Sequence, residues 1–277
     1  MGKATREAYG NALARIGKEN TNIIVLDADL SKSTKTDTFK AVCPERFFNV
    51  GIAEQNLISV GAGLAAAGKI PFVSSFSMFA TGRAFEQIRN AVCYPKLNVK
   101  VCATHAGITV GEDGATHQSL EDISCMRTLP NMTVVVPADE RETEAVIEWA
   151  ASYNGPVYVR LGRAGVDDVT TEGYSFVPGK STILVDGSDA TIIACGALVG
   201  PAVEASKTLS ESNISARVIN MASIKPIDAE AIIKAATETG AIVTAEEHNI
   251  IGGLGSAVSE VVVSNKPVPM EFVGVQD

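Results

Sequence analysis

The sequence predicts an α/β protein built from two consecutive open, mostly parallel sheets that are covered by helices. Short continuous apolar runs, such as NIIVLD at 22–27 and VVV at 134–136, are typical of parallel strands that are buried on both faces. These runs alternate with segments of helical periodicity, which is the pattern of α/β domains. The length of 277 residues is enough for two ordinary domains of this kind.

The first predicted domain spans residues 1–163. It opens with a helix, because Ala8, Ala12, Leu13 and Ile16 recur at helical spacing, and the strand at 22–27 follows. The same alternation predicts helices at about 53–67, 82–93 and 139–152, and strands at about 70–75, 97–103, 132–136 and 156–161.

Residues 164–180 are predicted to link the first domain to a second domain at 181–277. This stretch is polar, contains glycine and proline, and shows no sustained period. The second domain repeats the alternation, with strands at about 189–195, 216–221, 241–246 and 268–273 and helices at about 199–210, 228–237 and 253–264. Its last strand comes directly before Asp277, a pattern compatible with truncation at that end.

Composition and charge exclude several classes of protein. Apolar residues make up 46% and charged residues 20% of the chain, as in globular proteins. With 23 Lys and Arg against 32 Asp and Glu, the net charge of -9 argues against a nucleic-acid partner. No signal peptide and no apolar run of about 20 residues is present, so we expect a cytoplasmic protein with no membrane contact. The five cysteines are widely spaced and are expected to be reduced thiols.

A polar loop at 104–118 carries the densest set of chemically active side chains. His105 and His117 lie twelve residues apart, and Glu112, Asp113 and three glycines stand between them. Loops at the carboxyl ends of parallel strands line binding crevices, and glycines let such a loop fold sharply over a ligand. The alternative is a solvated turn with surface histidines.

Two further clusters have both an ordinary and a functional interpretation. Glu54 stands just inside a predicted helix start, where carboxylates are common because they complement the helix dipole. Burial in an apolar pocket would distinguish a functional glutamate from such a residue. Phe76 and Phe79 lie one helical turn apart after a strand, an arrangement more often found in a core than in a cofactor platform.

Read together, five segments resemble the pyrimidine-binding and C-terminal domains of transketolases. In chain order they are VGIAEQN, SSFSMF followed by RAFEQIRN, THAGITVGEDGATHQSLED, VVVPAD and VRLGRAG. The resemblance implies a thiamine diphosphate cofactor. Because the sequence has no GDG-type motif, it also implies that the diphosphate ligands and Mg2+ (or Ca2+) belong to a separate subunit, with no metal on this chain. An α2β2 assembly, in which this chain also contacts its own copy, would follow.

The resemblance also implies roles for individual side chains. Glu54 would bind the cofactor's aminopyrimidine and activate it, and Phe76 and Phe79 would pack against that ring. The expected substrate-binding residues are Arg6, Ser33 and Arg163 for the sugar phosphate, Asp113 for a hydroxyl group, and His105 and His117 at the reacting carbonyl, where they would also be catalytic. The segment 80–82 departs from the family pattern at the third wall of the pyrimidine pocket, and His248 has no assigned role.

The implied reaction is the reversible transfer of a two-carbon ketol unit from a ketose phosphate to an aldose phosphate through a cofactor adduct. One alternative is an enzyme similar to 1-deoxyxylulose-5-phosphate synthase, whose three domains normally lie on one chain. A beta subunit of a 2-oxo acid dehydrogenase is disfavoured by the sequence GEDGATHQ. The third alternative is a non-catalytic regulatory paralogue.

Overall fold

A computed structural model describes residues 2–277. These residues form twelve strands, which are β1 (Ile23–Asp27), β2 (Phe47–Asn49), β3 (Ile70–Ser74), β4 (Lys100–Ala103), β5 (Thr133–Val135), β6 (Val157–Arg160), β7 (Thr182–Val185), β8 (Ala190–Ala194), β9 (Ala216–Asn220), β10 (Ser223–Lys225), β11 (Ile242–Asn249) and β12 (Met270–Val275).

The helices alternate with these strands. They are α1 (Thr5–Glu19), α2 (Ser31–Thr34), α3 (Asp37–Val42), α4 (Glu54–Ala66), α5 (Phe85–Gln87), α6 (Asp122–Thr128), α7 (Glu140–Ser152), α8 (Val199–Glu211), α9 (Ala229–Thr239) and α10 (Leu254–Asn265). Apolar side chains of α1 and α7 cluster with Ile23 and Val25, and those of α4 cluster with Ile24 and Leu26, so helices cover both faces of the first sheet.

The strands form two sheets, which confirms the predicted fold class. The first sheet has seven strands in the order β10-β5-β6-β4-β3-β1-β2, and the second has five in the order β12-β11-β8-β9-β7. All pairs are parallel except β10 with β5 and β7 with β9, which are antiparallel edge pairs. Strand β1 is buried at all five positions, as its continuous apolar sequence predicts.

Strand β10 joins the two halves of the chain. It follows β9 of the second sheet, yet it pairs with β5 at the edge of the first sheet. Ser223 lies opposite Val135, and Lys225 lies opposite Val134. The second half of the chain therefore completes a sheet that the first half begins.

The structure differs from the predicted elements at the shortest segments. The sequence does not predict strands β2, β7 and β10 or helices α2, α3 and α6, because runs of three to seven residues show little periodicity. The helix expected at 82–93 is instead three short pieces, with π-helical turns at Met78–Arg83 and Ile88–Cys93 on either side of α5.

The parallel strands place several loops at one edge of the first sheet. Because β1, β3 and β4 run in the same direction, the loops that follow Asp27, Ser74 and Ala103 emerge side by side. No helix within residues 2–277 combines the length and the apolar character needed to cross a bilayer. All five cysteines are free thiols in this structure.

Candidate functional site

Glu54 begins helix α4 and is buried. The chain turns from β2 into the helix through Gly51, which has a left-handed φ of 76° and donates its N–H to the side chain of Asn49 over 2.9 Å. This turn places the Glu54 carboxylate in the first helical turn, where the side chain is only 1% exposed. The burial that would distinguish a functional glutamate from an ordinary helix-start carboxylate is therefore present.

The Glu54 carboxylate has a cationic partner that the sequence analysis missed. Nη1 of Arg83 donates to Oε2 of Glu54 over 2.7 Å, and the guanidinium also lies over the ring of Phe79 at 4.6 Å from its centroid. Arg83 is half-exposed. It comes directly after the segment 80–82, where the sequence departs from the family pattern.

Phe76 and Phe79 follow strand β3 and form the aromatic centre of the site. Their ring centroids are 6.1 Å apart with an interplanar angle of 13°. The backbone of Phe76 also forms an isolated parallel bridge with Thr104, the residue that follows β4. The backbone connection between these two loops holds the rings beside the polar loop that follows β4.

His105 stacks on Phe76. Its ring centroid lies 3.8 Å from that of Phe76, at an interplanar angle of 22°, and its Nδ1 lies 2.9 Å from the hydroxyl of Thr104. Burial lowers the pKa of His105 to about 3, and the nearby charges of Arg6 and Arg163 act in the same direction. The imidazole is therefore neutral at physiological pH.

His117 approaches the same aromatic pair from the far end of the loop. Its ring is edge-on to Phe76, with centroids 6.1 Å apart, and to Phe79, with centroids 5.2 Å apart. The ring is half-buried. The two histidines, twelve residues apart in the sequence, thus converge on one pair of rings and are not surface side chains, although the turn between them is largely exposed.

Arg6 and Arg163 lie close enough to His105 and to each other for their charges to interact. Nη1 of Arg6 donates to the backbone carbonyl of Ser33 over 2.8 Å, so Ser33 meets Arg6 through its main chain. Nε of Arg6 is buried and makes no hydrogen bond within the described chain. An unsatisfied guanidinium nitrogen beside a second arginine is an arrangement that can bind an anion.

Arg163 holds the turn that carries Asp113. Its guanidinium donates to the carbonyl of Val110 and to the carboxylate of Glu112. The hydrogen bond to Glu112 raises the pKa of Arg163, and the charge of Asp113 adds to this effect. Asp113 itself is exposed at the end of the 3-10 turn Ile108–Asp113.

A buried ion pair lies behind the loop and was also missed. Nε of Arg160 donates to Oδ2 of Asp122 over 2.8 Å, and the hydroxyl of Tyr158 donates to the same oxygen over 2.6 Å. Burial opposes ionisation of Asp122, but Arg160 outweighs it, so the pKa of this carboxyl is lowered. The sequence signal for this ion pair is Arg160, a charged residue at the end of the otherwise apolar run VYVR.

His248 lies where the two halves of the chain meet. It is fully buried, its Nδ1 donates to the carbonyl of Asn249 over 2.6 Å, and its Nε2 accepts from the N–H of Ser124 over 3.4 Å. The residue therefore connects β11 to α6. Among residues 2–277, no group of three or more His, Cys, Asp or Glu side chains is placed to hold a metal ion.

Comparisons with known proteins identify the family of this chain. Residues 1–167 match the family model for the transketolase pyrimidine-binding domain, and residues 179–277 match the model for the transketolase C-terminal domain. A putative transketolase C-terminal section from Methanocaldococcus jannaschii is 56% identical over 265 residues, covering 95% of this chain and 83% of that protein. A 6-deoxy-6-sulfo-D-fructose transketolase subunit from a Clostridium species is 42% identical, over 98% of this chain and 84% of that one.

A solved structure described as a split gene transketolase, inactive beta4 tetramer, is similar over the full length of the chain. Its TM-score is 0.94 at 57% identity, and the match covers 100% of this chain and 91% of that one. The two sheets and their helices are thus shared with a transketolase whose gene is split. The chain belongs to the transketolase family and is of the type that carries the pyrimidine-binding and C-terminal domains.

Proposed function

We propose that this chain is one subunit of a two-chain transketolase and supplies the pyrimidine-binding half of its active site. The observation that carries the proposal is a buried carboxylate next to stacked rings. Glu54 is 1% exposed, and Arg83 joins it to the Phe79 ring. A carboxylate in such a position can hold a nitrogen heterocycle by hydrogen bonding while the aromatic rings orient it.

The residues present fit the aminopyrimidine of thiamine diphosphate. That ring is flat and carries nitrogen donors and acceptors, which suit the aromatic pair Phe76 and Phe79 and the single charged acceptor Glu54. When bound, the cofactor supplies the carbon nucleophile that the reaction needs. Glu54 would form a hydrogen bond with a ring nitrogen and so favour the tautomer of the aminopyrimidine that can act as a base.

The polar loop would bind and orient the sugar. Neutral His105 can donate or accept a hydrogen bond at the reacting carbonyl without adding a charge, and His117 faces the same aromatic pair from the side. Asp113 would accept a hydrogen bond from a substrate hydroxyl. Arg6 and Arg163, with the Ser33 segment, would bind the phosphate group.

The proposed reaction is reversible transfer of a two-carbon ketol unit from a ketose phosphate to an aldose phosphate. We further propose a cytoplasmic α2β2 assembly, with the diphosphate-binding site and its Mg2+ on the other subunit, and domain boundaries at 1–163, 164–180 and 181–277. Support for a separate subunit comes from relatives of similar length that are themselves named as a section or a subunit of transketolase. The pairing of β10 with β5 supports contact between the two proposed domains.

The test is ketol transfer from xylulose 5-phosphate to ribose 5-phosphate. The chain is assayed alone and with a diphosphate-binding transketolase subunit, thiamine diphosphate and Mg2+. Activity only in the mixture supports the proposal. Activity of the chain alone would contradict the need for a partner, and inactivity in both arms would favour the synthase-like or the non-catalytic alternative.

A further inference from the structure

The end of strand β11, in the second half of the chain, contacts the polar loop of the first half. Oε1 of Glu247 accepts a hydrogen bond of 2.6 Å from the backbone N–H of Thr109. The Glu247 side chain is 7% exposed, although Thr109 itself lies at the surface. A carboxylate from the C-terminal domain therefore binds the backbone of the loop that carries His105 and His117.

The backbone of the loop leaves space for the Glu247 carboxylate at Gly107. Gly107 has a left-handed φ of 85°, and a Cβ placed on it would lie 2.2 Å from Cδ of Glu247. Any side chain at 107 would displace the carboxylate, so glycine is required both by conformation and by space. The N–H of Gly107 also donates to the carbonyl of Ser119 over 2.9 Å, which closes the loop on itself.

Hydrogen bonds to the backbone of β11 hold Glu247 in place. Nη2 of Arg160 donates to the backbone carbonyl of Glu247 over 2.9 Å, while the same guanidinium pairs with Asp122. Two residues further along β11, the N–H of Asn249 donates to the carbonyl of Leu120 over 2.8 Å. Strand β11 thus holds the loop both near its start and beyond its end.

We infer that Glu247 is a positioning residue, which orders the loop 104–118 so that His105, Asp113 and His117 face the sugar. The effect of Glu247 on the reaction rests on the proposed function, whereas its ordering of the loop does not. The inference gives the C-terminal domain a part in the active site of its own chain. A small displacement of a substrate-positioning group is enough to slow a reaction substantially.

The test compares three single variants, one double variant and a control variant in the two-subunit holoenzyme. Glu247→Ala removes the acceptor, Glu247→Gln keeps an amide oxygen that can accept from Thr109, and Thr109→Pro removes the donor from the loop side. Glu230→Ala, at an exposed position on α9, is the control. Readouts are hydrogen exchange of the loop amides, thermal unfolding, and kcat and KM for ketose and aldose phosphates.

The expected result is faster exchange of the loop amides and a kcat/KM lower by about tenfold or more in Glu247→Ala and Thr109→Pro. Glu247→Gln should restore both, and combining Glu247→Ala with Thr109→Pro should add little. Unchanged loop exchange in Glu247→Ala, or a Gln variant as impaired as the Ala variant, would overturn the inference. An inactive wild type would instead count against the proposed function, and the exchange data would then decide the role of Glu247 by themselves.

Discussion

Nη1 of Arg83 lies 2.7 Å from Oε2 of Glu54, so a half-exposed guanidinium is paired with a carboxylate that is almost fully buried. The two residues are far apart in the sequence, and the pair forms only because the π-helical turn after β3 faces the start of α4. The same guanidinium covers one side of Phe79. Arg83 therefore links the proposed activating carboxylate to the proposed ring-binding surface.

Replacing Arg83 by Ala should weaken the binding of thiamine diphosphate. The substitution removes the only charged partner that the structure gives to the Glu54 carboxylate, and it uncovers the Phe79 ring. We expect the apparent Kd of the cofactor to rise by about tenfold in the two-subunit enzyme, measured by calorimetry. Arg89→Ala, at an exposed position in the next helical turn, is the matched control, and equal Kd values for the two variants would contradict the assignment.

His105 should remain neutral in mildly acidic solution. Burial first, and then the charges of Arg6 and Arg163, lower its pKa to about 3. Between that pH and the ordinary histidine pKa of about 6.5, the unfolded chain binds a proton that the folded chain does not, so this residue reduces stability as the pH falls.

His105→Asn should remove that part of the pH dependence. Urea unfolding of wild type and variant at several values between pH 4.5 and pH 7.5 measures the difference. The advantage of wild type over the variant is expected to shrink towards pH 4.5. A constant difference over the whole range, or an NMR titration of His105 near its ordinary pKa, would show that the ring is not desolvated.

Arg6 should contribute to the binding of phosphorylated sugars specifically. Its Nε is buried without a hydrogen-bond partner, and its pKa is lowered mainly by burial. We expect Arg6→Met to raise the KM for a ketose phosphate by about tenfold or more, because a charge-assisted contact is lost. The KM for an unphosphorylated ketose, such as erythrulose, should change little. An equal effect on both substrates would indicate a general structural role instead.

Asp122 should be essential for stability. It is fully buried and pairs with Arg160, which is 6% exposed, so removal of the carboxylate leaves a buried cation without its partner. Asp122→Ala is expected to lower the free energy of unfolding by about 3–5 kcal/mol, as for other broken buried pairs. Chemical denaturation measures this change. Glu204→Gln, which breaks the exposed pair with Lys207, should leave the free energy nearly unchanged.

Much of the fold could be predicted because it depends on local patterns. The apolar runs at β1 and β5 and the periodicity of α1 and α7 are visible in the sequence, and the alternation between runs of these two kinds specifies parallel sheets. Strand β10 could not be predicted, since three residues carry no periodic signal and their partner strand lies in the other half of the chain.

The site shows the same division between local and long-range information. Residue type and spacing indicated His105 and His117, which stand in one polar loop. Phe76 and Phe79 were assigned to the site only by the resemblance to transketolases, because their spacing is equally typical of a core. The contact of Arg83 with Glu54 and that of Glu247 with Thr109 depend on how distant elements pack. The second of these contacts joins residues 138 positions apart, a separation at which no local pattern is informative.

Activation of the cofactor by Glu54 is measured by hydrogen–deuterium exchange at the reactive thiazolium carbon. Wild type and Glu54→Gln are each assembled with the diphosphate-binding subunit, thiamine diphosphate and Mg2+, and exchange is followed by quenched-flow NMR. We expect Glu54→Gln to assemble normally but to exchange about 10²- to 10⁴-fold more slowly, the usual contribution of acid–base catalysis. Equal exchange rates in the two assembled enzymes would contradict activation by Glu54.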